Sequence, residues 1–192
     1  TGPASNFSRN PKSGNSSGQN TNYHHYVPLA TTFRIYPYNN NTAYYKNGTL
    51  QGTVNVGSYA NITCAAGDRF SADEPIATYP TSNPEYEAAY SGWSGFKFAS
   101  RVDRYQTTTF YVFAPLSTVA NINAYATTTS DASISDAGFA FASTTNLSHH
   151  GMWSFNVTTI TNNILIEASD PICVVAYGSS TRDVRRLYPL NR

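Results

Sequence analysis

Ala43-Tyr44-Tyr45-Lys46-Asn47-Gly48-Thr49-Leu50-Gln51-Gly52-Thr53-Val54 decides how the rest of this 192-residue chain is read. Two runs rich in Tyr, Thr and Val flank Asn47-Gly48, the pair that best tolerates the positive φ angles of a two-residue type I′ turn. The stretch therefore predicts an antiparallel hairpin. Outward from it, the same grammar repeats. Phe33-Arg34-Ile35-Tyr36 alternates apolar and polar, and Pro37 marks a strand end or an edge. Tyr59 to Cys64 is a further strand, followed by the turn Ala65-Ala66-Gly67-Asp68. Strands are then expected over residues 76–79, 107–114, 122–127, 138–142, 153–157, 164–168 and 172–177. Short strands at this spacing indicate a sandwich or a barrel. No stretch carries a 3.6-residue apolar period, so helix is expected to be minor, with one turn around Glu85 to Tyr90.

An internal echo sets the expected organisation. Ala72-Asp73-Glu74-Pro75-Ile76 is matched half a chain later by Ala168-Ser169-Asp170-Pro171-Ile172. Each copy has an acidic residue, then Pro, then a β run, as for a corner set by proline. The fold class expected is all-β: a β-sandwich, jelly-roll-like, made of two related β-units sharing one core, with an extended N-terminal arm. The boundaries follow as 1–22 for the arm, 23–98 for the first unit and 99–192 for the second. Gly, Ser, Asn and Pro dominate residues 1–22, and Phe7 is their one large apolar side chain. Alone in water such a stretch does not offset its ordering entropy. Phe7, Arg9 and Tyr23 are the arm residues suited to hold it, either on its own domain or on a neighbouring subunit.

Composition excludes several classes. Hydrophobic residues make up 40% and aromatic residues 14%, enough for a core without metal or cofactor. Charged residues are only 12% and the net charge is +1. That share is about half the usual one, and there is no basic stripe to follow phosphates, so no nucleic-acid partner is expected. No apolar run approaches the roughly 20 residues of a membrane span. The chain begins at Thr1, not Met, so a mature or trimmed product is expected, with any targeting segment removed. Tyr occurs 15 times, and the surface is read as neutral and hydrogen-bonding, as where many copies pack side by side.

No motif points to catalysis: G-x-S-x-G, G-x-x-x-x-G-K-[ST] and H-E-x-x-H are all absent. The 11 carboxylates mostly stand beside turn residues, with no pair singled out. His24-His25 and His149-His150 would point to opposite faces if on strands, so neither pair is read as a metal site and both are read as surface or interface residues. Arg101 to Tyr105 and Thr181 to Arg186 concentrate Arg with Asp, suited to intrachain pairing or to an interface. The loop Tyr86 to Trp93 is read as either core packing or a platform for sugars. Cys64 and Cys173 are a candidate disulfide, with two buried free thiols the equal alternative. N-x-[ST] sequons fall at Asn6, Asn15, Asn40, Asn47, Asn61, Asn146 and Asn156, a modest excess over what this composition yields by chance.

Two stretches carry a resemblance. Tyr44 to Gly52, followed by Gly67-Asp68-Arg69-Phe70-Ser71-Ala72-Asp73-Glu74-Pro75-Ile76, is similar to the strand–hairpin–G-D-x-x-x-A-D-x-P-I pattern of IgGFc-binding-like β-repeats. From Tyr36 to Pro189, including Ser100 to Tyr105 and Ala168 to Cys173, the chain resembles uncharacterised virion structural proteins of marine tailed phages of the cyanophage type. The resemblance implies a particle-associated β-protein exposed on a tail, fibre or capsid surface; with no catalytic motif, a non-enzymatic structural or decorating subunit without cofactors is expected, whose partners are copies of itself or other structural proteins and, in an adhesive role, surface glycans. A glycosylated subunit of a cellular filament or surface layer, and a carbohydrate-binding module or glycosidase fragment, are the alternative readings.

Overall fold

The computed structural model describes residues 7–8, 24–81, 87–101, 107–127, 140–157, 163–178 and 183–190. The chain is all-β and divides into two compact units, Thr1–Gly92 and Trp93–Arg192. The division comes ahead of the expected 98/99 because the strand Gly95–Arg101 pairs with Asn163–Gly178 in the second unit. Among the described residues no helix is long and apolar enough to cross a membrane.

The first unit contains β1 (Phe7–Ser8), β2 (His25–Tyr26), β3 (Thr31–Pro37), β4 (Thr42–Lys46), β5 (Thr49–Val54), β6 (Ala60–Cys64), β7 (Arg69–Ala72), β8 (Ile76–Pro80) and β9 (Ala89–Tyr90). They form two antiparallel sheets, in the orders β1-β8-β3-β6 and β5-β4-β7-β2-β9. The first eight strands are thus wound as a jelly roll, each sheet drawing strands from both halves of the unit. The β4–β5 hairpin turns at Asn47-Gly48, with φ of 50° and 84°, as its sequence requires. Between the sheets lie Phe33, Ile35, Ile62 and Ile76 from one side and Phe70 and Ala72 from the other. The Phe33 and Phe70 rings meet across this core at 4.9 Å between centroids.

The second unit contains β10 (Gly95–Arg101), β11 (Thr108–Phe113), β12 (Val119–Thr127), β13 (Ala140–Leu147), β14 (Met152–Val157), β15 (Asn163–Gly178) and β16 (Asp183–Arg186). The two strands expected at 164–168 and 172–177 are one strand, β15. Its first half pairs with β10 and β12, and its second half with β11 and β16. Pro171 stands where the strand leaves one sheet for the other, a bent strand making a sandwich corner. Phe98, Ile122, Ala124, Ile164 and Ile166 pack against Phe110, Val112, Val157, Ile172 and Val174.

Strand for strand, β2 to β8 correspond to β10 to β15, with the two halves of β15 in the places of β7 and β8. The relation reaches individual side chains. β4 is preceded by Asn41 at φ 58°, whose N–H donates to Asn55 Oδ1 at 2.8 Å. In β12, Asn121 at φ 59° donates in the same way to Asn146 Oδ1 at 2.9 Å. Each unit closes its own cluster of buried side chains. Two sheets facing each other within a unit bury both inner faces against one another.

The arm touches its own unit at β1, where Phe7 pairs with Ala77 and Ser8 with Ile76. In the second unit the same place, beside the second half of β15, is taken by β16 from the other end of the chain. Arg9 and Tyr23 lie outside the described residues. Among the described residues a helical turn lies at Ser91–Trp93; of the turn expected around 85–90, Glu85 and Tyr86 lie outside the described residues.

Candidate functional site

Alternation along β3 sends Phe33 and Ile35 inward and Arg34 and Tyr36 outward. Register then places Tyr79 of β8 and Asn61 of β6 on either side of Arg34. Tyr59, just before β6, stands 5.8 Å from Tyr36 between ring centroids. The Arg34 guanidinium lies over the Tyr59 ring at 4.7 Å, within cation–π range. Its hydrogen bond with Tyr36 is the main reason it is held above its ordinary pKa; desolvation opposes this, and the nearness of Tyr59, Tyr36 and Tyr79 adds to it. Tyr36, Tyr59 and Tyr79 remain 38%, 48% and 45% exposed, so this is a surface and not a core. Toward the other end of β3 the face continues in the paired hydroxyls of Thr32 and Thr63, 2.9 Å apart. One face of one sheet thus presents three tyrosines around an arginine, with neutral hydroxyl and amide groups at its border.

The residues singled out from sequence take other places. His25 is a correction to the surface reading: it is buried, stacked on Phe70 at 4.8 Å and on Tyr90 at 5.2 Å. His149 and His150 occupy a tight turn, not a strand, and their rings stack at 3.7 Å instead of diverging. Among the described residues no three His, Cys, Asp or Glu side chains gather as metal ligands. Cys64 and Cys173 are both free and buried, in different units, so the bridge is not formed here. Burial pushes the Cys64 thiol up to about 11, and pushes Cys173 higher still.

Of the 86–93 loop, Tyr90 is buried against His25, and Trp93 packs on Tyr188 at 4.9 Å with Arg186 over it at 5.3 Å. Tyr90 thus packs inward, whereas Trp93 is half-buried at the surface between Tyr188 and Arg186; Tyr86 lies outside the described residues. Of the two charge clusters, 102–105 and 181–182 also lie outside them, as do the sequons at Asn6 and Asn15.

The remaining sequons divide by their amide nitrogens. Asn47 Nδ2 donates to Asp68 Oδ1 at 2.7 Å while its Oδ1 accepts from the Arg69 N–H, so this sequon is a structural turn residue. Asn40, Asn146 and Asn156 each use the side-chain oxygen, accepting from Val56, Asn121 and Thr109. Asn61 is exposed and stands in the tyrosine–arginine face itself.

The tyrosine–arginine face was only half visible in the sequence. The alternation 33–36 gives Arg34 and Tyr36, whereas Tyr59 and Tyr79 reach them only through the pairing of β6 and β8. No family model matches the chain, and no curated protein matches it.

Proposed function

We propose that this chain is a non-enzymatic structural or decorating subunit of a virion-surface or extracellular assembly, and that it docks to copies of itself through the outer face of β3, β6 and β8. The observation that carries this reading is the cluster of Arg34, Tyr36, Tyr59 and Tyr79, three exposed tyrosines around one cation with no acidic side chain among them. Tyr and Arg are the residues most enriched where proteins bind one another, and Lys, Glu and Asp are depleted there. The low charge of the whole chain, 12%, favours close packing of many copies. The strand β1 adds a second means of joining, since a short arm strand on a sheet edge is the form that strand exchange between copies takes.

Sedimentation velocity over a concentration series tests the reading. The protein is expected to associate as concentration rises, and the Tyr36→Ser/Tyr59→Ser double variant, altered only at exposed positions, is expected to stay monomeric with an unchanged melting temperature. A wild-type monomer at every attainable concentration would overturn the proposal.

A further inference from the structure

The correspondence between the two units fails at one place, and a groove lies there. In the first unit a single residue, Glu74, separates Asp73 from Pro75. At the matching point of the second unit three residues, Ala168, Ser169 and Asp170, separate Glu167 from Pro171. The first unit is closed at this point: Asp73 Oδ1 accepts the Ala43 N–H at 2.8 Å, and Glu74 Oε2 accepts from Asn39 Nδ2 at 2.8 Å. The second unit is open, with a groove of about 470 Å³ across β12, β15 and β10. That volume is in the range of small-ligand sites.

All three strands are irregular at this level. β10 slips register between Gly95 and Lys97, β12 slips between Val119 and Ile122, and residues 168–171 of β15 bulge between the partners of Lys97 and Gly95. Bulges re-aim side chains, and they recur beside functional sites. Here they bring Phe96, Asn121 and Ser169 to the groove, beside Lys97, Asn123 and Glu167 on the regular strand positions. Ser169 Oγ is held by Ala120 O and by Asp170 Oδ2, which pins the inserted turn. Phe96 is 43% exposed, an apolar ring left facing solvent at the groove.

We infer that this groove binds an uncharged saccharide. Lys97 Nζ and Glu167 Oε1 are 2.6 Å apart and cancel one another, and the Asp170 carboxylate stands beside Ser169, so the groove residues leave no surplus cation for a phosphate or a uronate. The pair and the amides of Asn121 and Asn123 instead present donors and acceptors side by side, the pattern that vicinal hydroxyls require. The Phe96 ring supplies an apolar plane for the C–H face of a pyranose. A purely apolar ligand would strand the polar floor without partners, which is costly. The inference does not rest on the assembly reading, because an isolated unit carries the whole groove.

The probes are soluble neutral oligomers of glucose, mannose, galactose and N-acetylglucosamine, with oligogalacturonate as the charged comparison, titrated calorimetrically into the full chain. At least one neutral oligomer is expected to bind, with affinity lowered about two- to tenfold in Phe96→Ala, the scale of a lost aromatic contact. Asn123→Ala, checked for unchanged melting, is expected to weaken binding as well, and Tyr36→Ser to leave it as in the wild type. Binding of no neutral oligomer, binding of the charged one alone, or neutral binding unaffected by both groove variants would overturn the inference.

Discussion

The two units of this chain share a strand order and differ in how they treat their surfaces. In the first, the outer face of β3, β6 and β8 collects tyrosines around Arg34, and the corner at Pro75 is closed by side chains that accept from the facing strand and turn. In the second, the corner at Pro171 carries two extra residues and opens into a polar groove beside Phe96. The lesson is that a repeated scaffold fixes the inward residues and frees the outward ones. Phe33 and Ile35 have their counterparts in Phe110 and Val112 because both pairs fill the space between two sheets.

The largest effects expected are in those cores. Phe33→Ala and Phe110→Ala should each destabilise by about 3–5 kcal/mol, the cost of an emptied aromatic site. Urea unfolding followed by amide exchange in each unit separates the cases. Phe33→Ala is expected to lower protection chiefly in residues 24–81, and Phe110→Ala chiefly in 107–178, because each ring belongs to a different core. Loss spread equally over both units in both variants would break the comparison and show one cooperative body.

Next in size is Asp68, in the turn that leads into β7. Desolvation raises its pKa, but hydrogen bonds from Asn47, Lys46 and the Ala65 N–H together outweigh this and hold it below 3.8. Lys46, 2.9 Å away, is held up mainly by the same bond. A carboxyl depressed in the folded state contributes stability that is full above its unfolded pKa and is lost as pH falls through the lower, folded value. Wild-type stability should therefore drop on acidification below 3.8, and Asp68→Asn should remove that part of the dependence. At neutral pH the substitution should cost about 1.5–3 kcal/mol, on the scale of hydrogen bonds to a charged group. Thermal melts across pH measure both.

A smaller and sharper comparison uses the paired asparagines. Asn55→Ala and Asn146→Ala each remove the oxygen that accepts from a left-handed Asn, and each should cost about 1 kcal/mol. Near-equal values would support structural equivalence of Asn41 and Asn121; a much larger cost at one site would show that the two turns are held differently. The smallest effect is on the thiols. With Cys64 raised to about 11 and Cys173 higher, both should resist alkylation in the native protein at pH 8, Cys64 reacting first, as read by mass spectrometry.

Much of this architecture could be read from the residues. Asn47-Gly48 announced its turn, alternation in 33–36 separated inside from outside, and the Pro-Ile echo marked the two corners. What escaped notice has a physical reason. β7 and β10 are short or bulged, so their alternation is weak, and the β15 bend hid one strand as two. The echo also aligned Ala72 with Ala168, whereas strand register matches Ala72 with Ile166, because the two inserted residues shift the frame before Pro171. His25 read as a surface residue because its polarity outweighed its place between Phe70 and Tyr90, partners supplied by distant strands. The tyrosine–arginine face and the groove are both made by outward residues from three strands, which no single stretch of sequence brings together.

Hydroxyl-radical footprinting of the dilute and the concentrated protein tests the assembly claim most directly. Tyr36, Tyr59 and Tyr79 should lose reactivity together as association proceeds, while Tyr188, 59% exposed in the second unit, keeps its own. Association that leaves those three tyrosines as reactive as in the monomer would contradict the account.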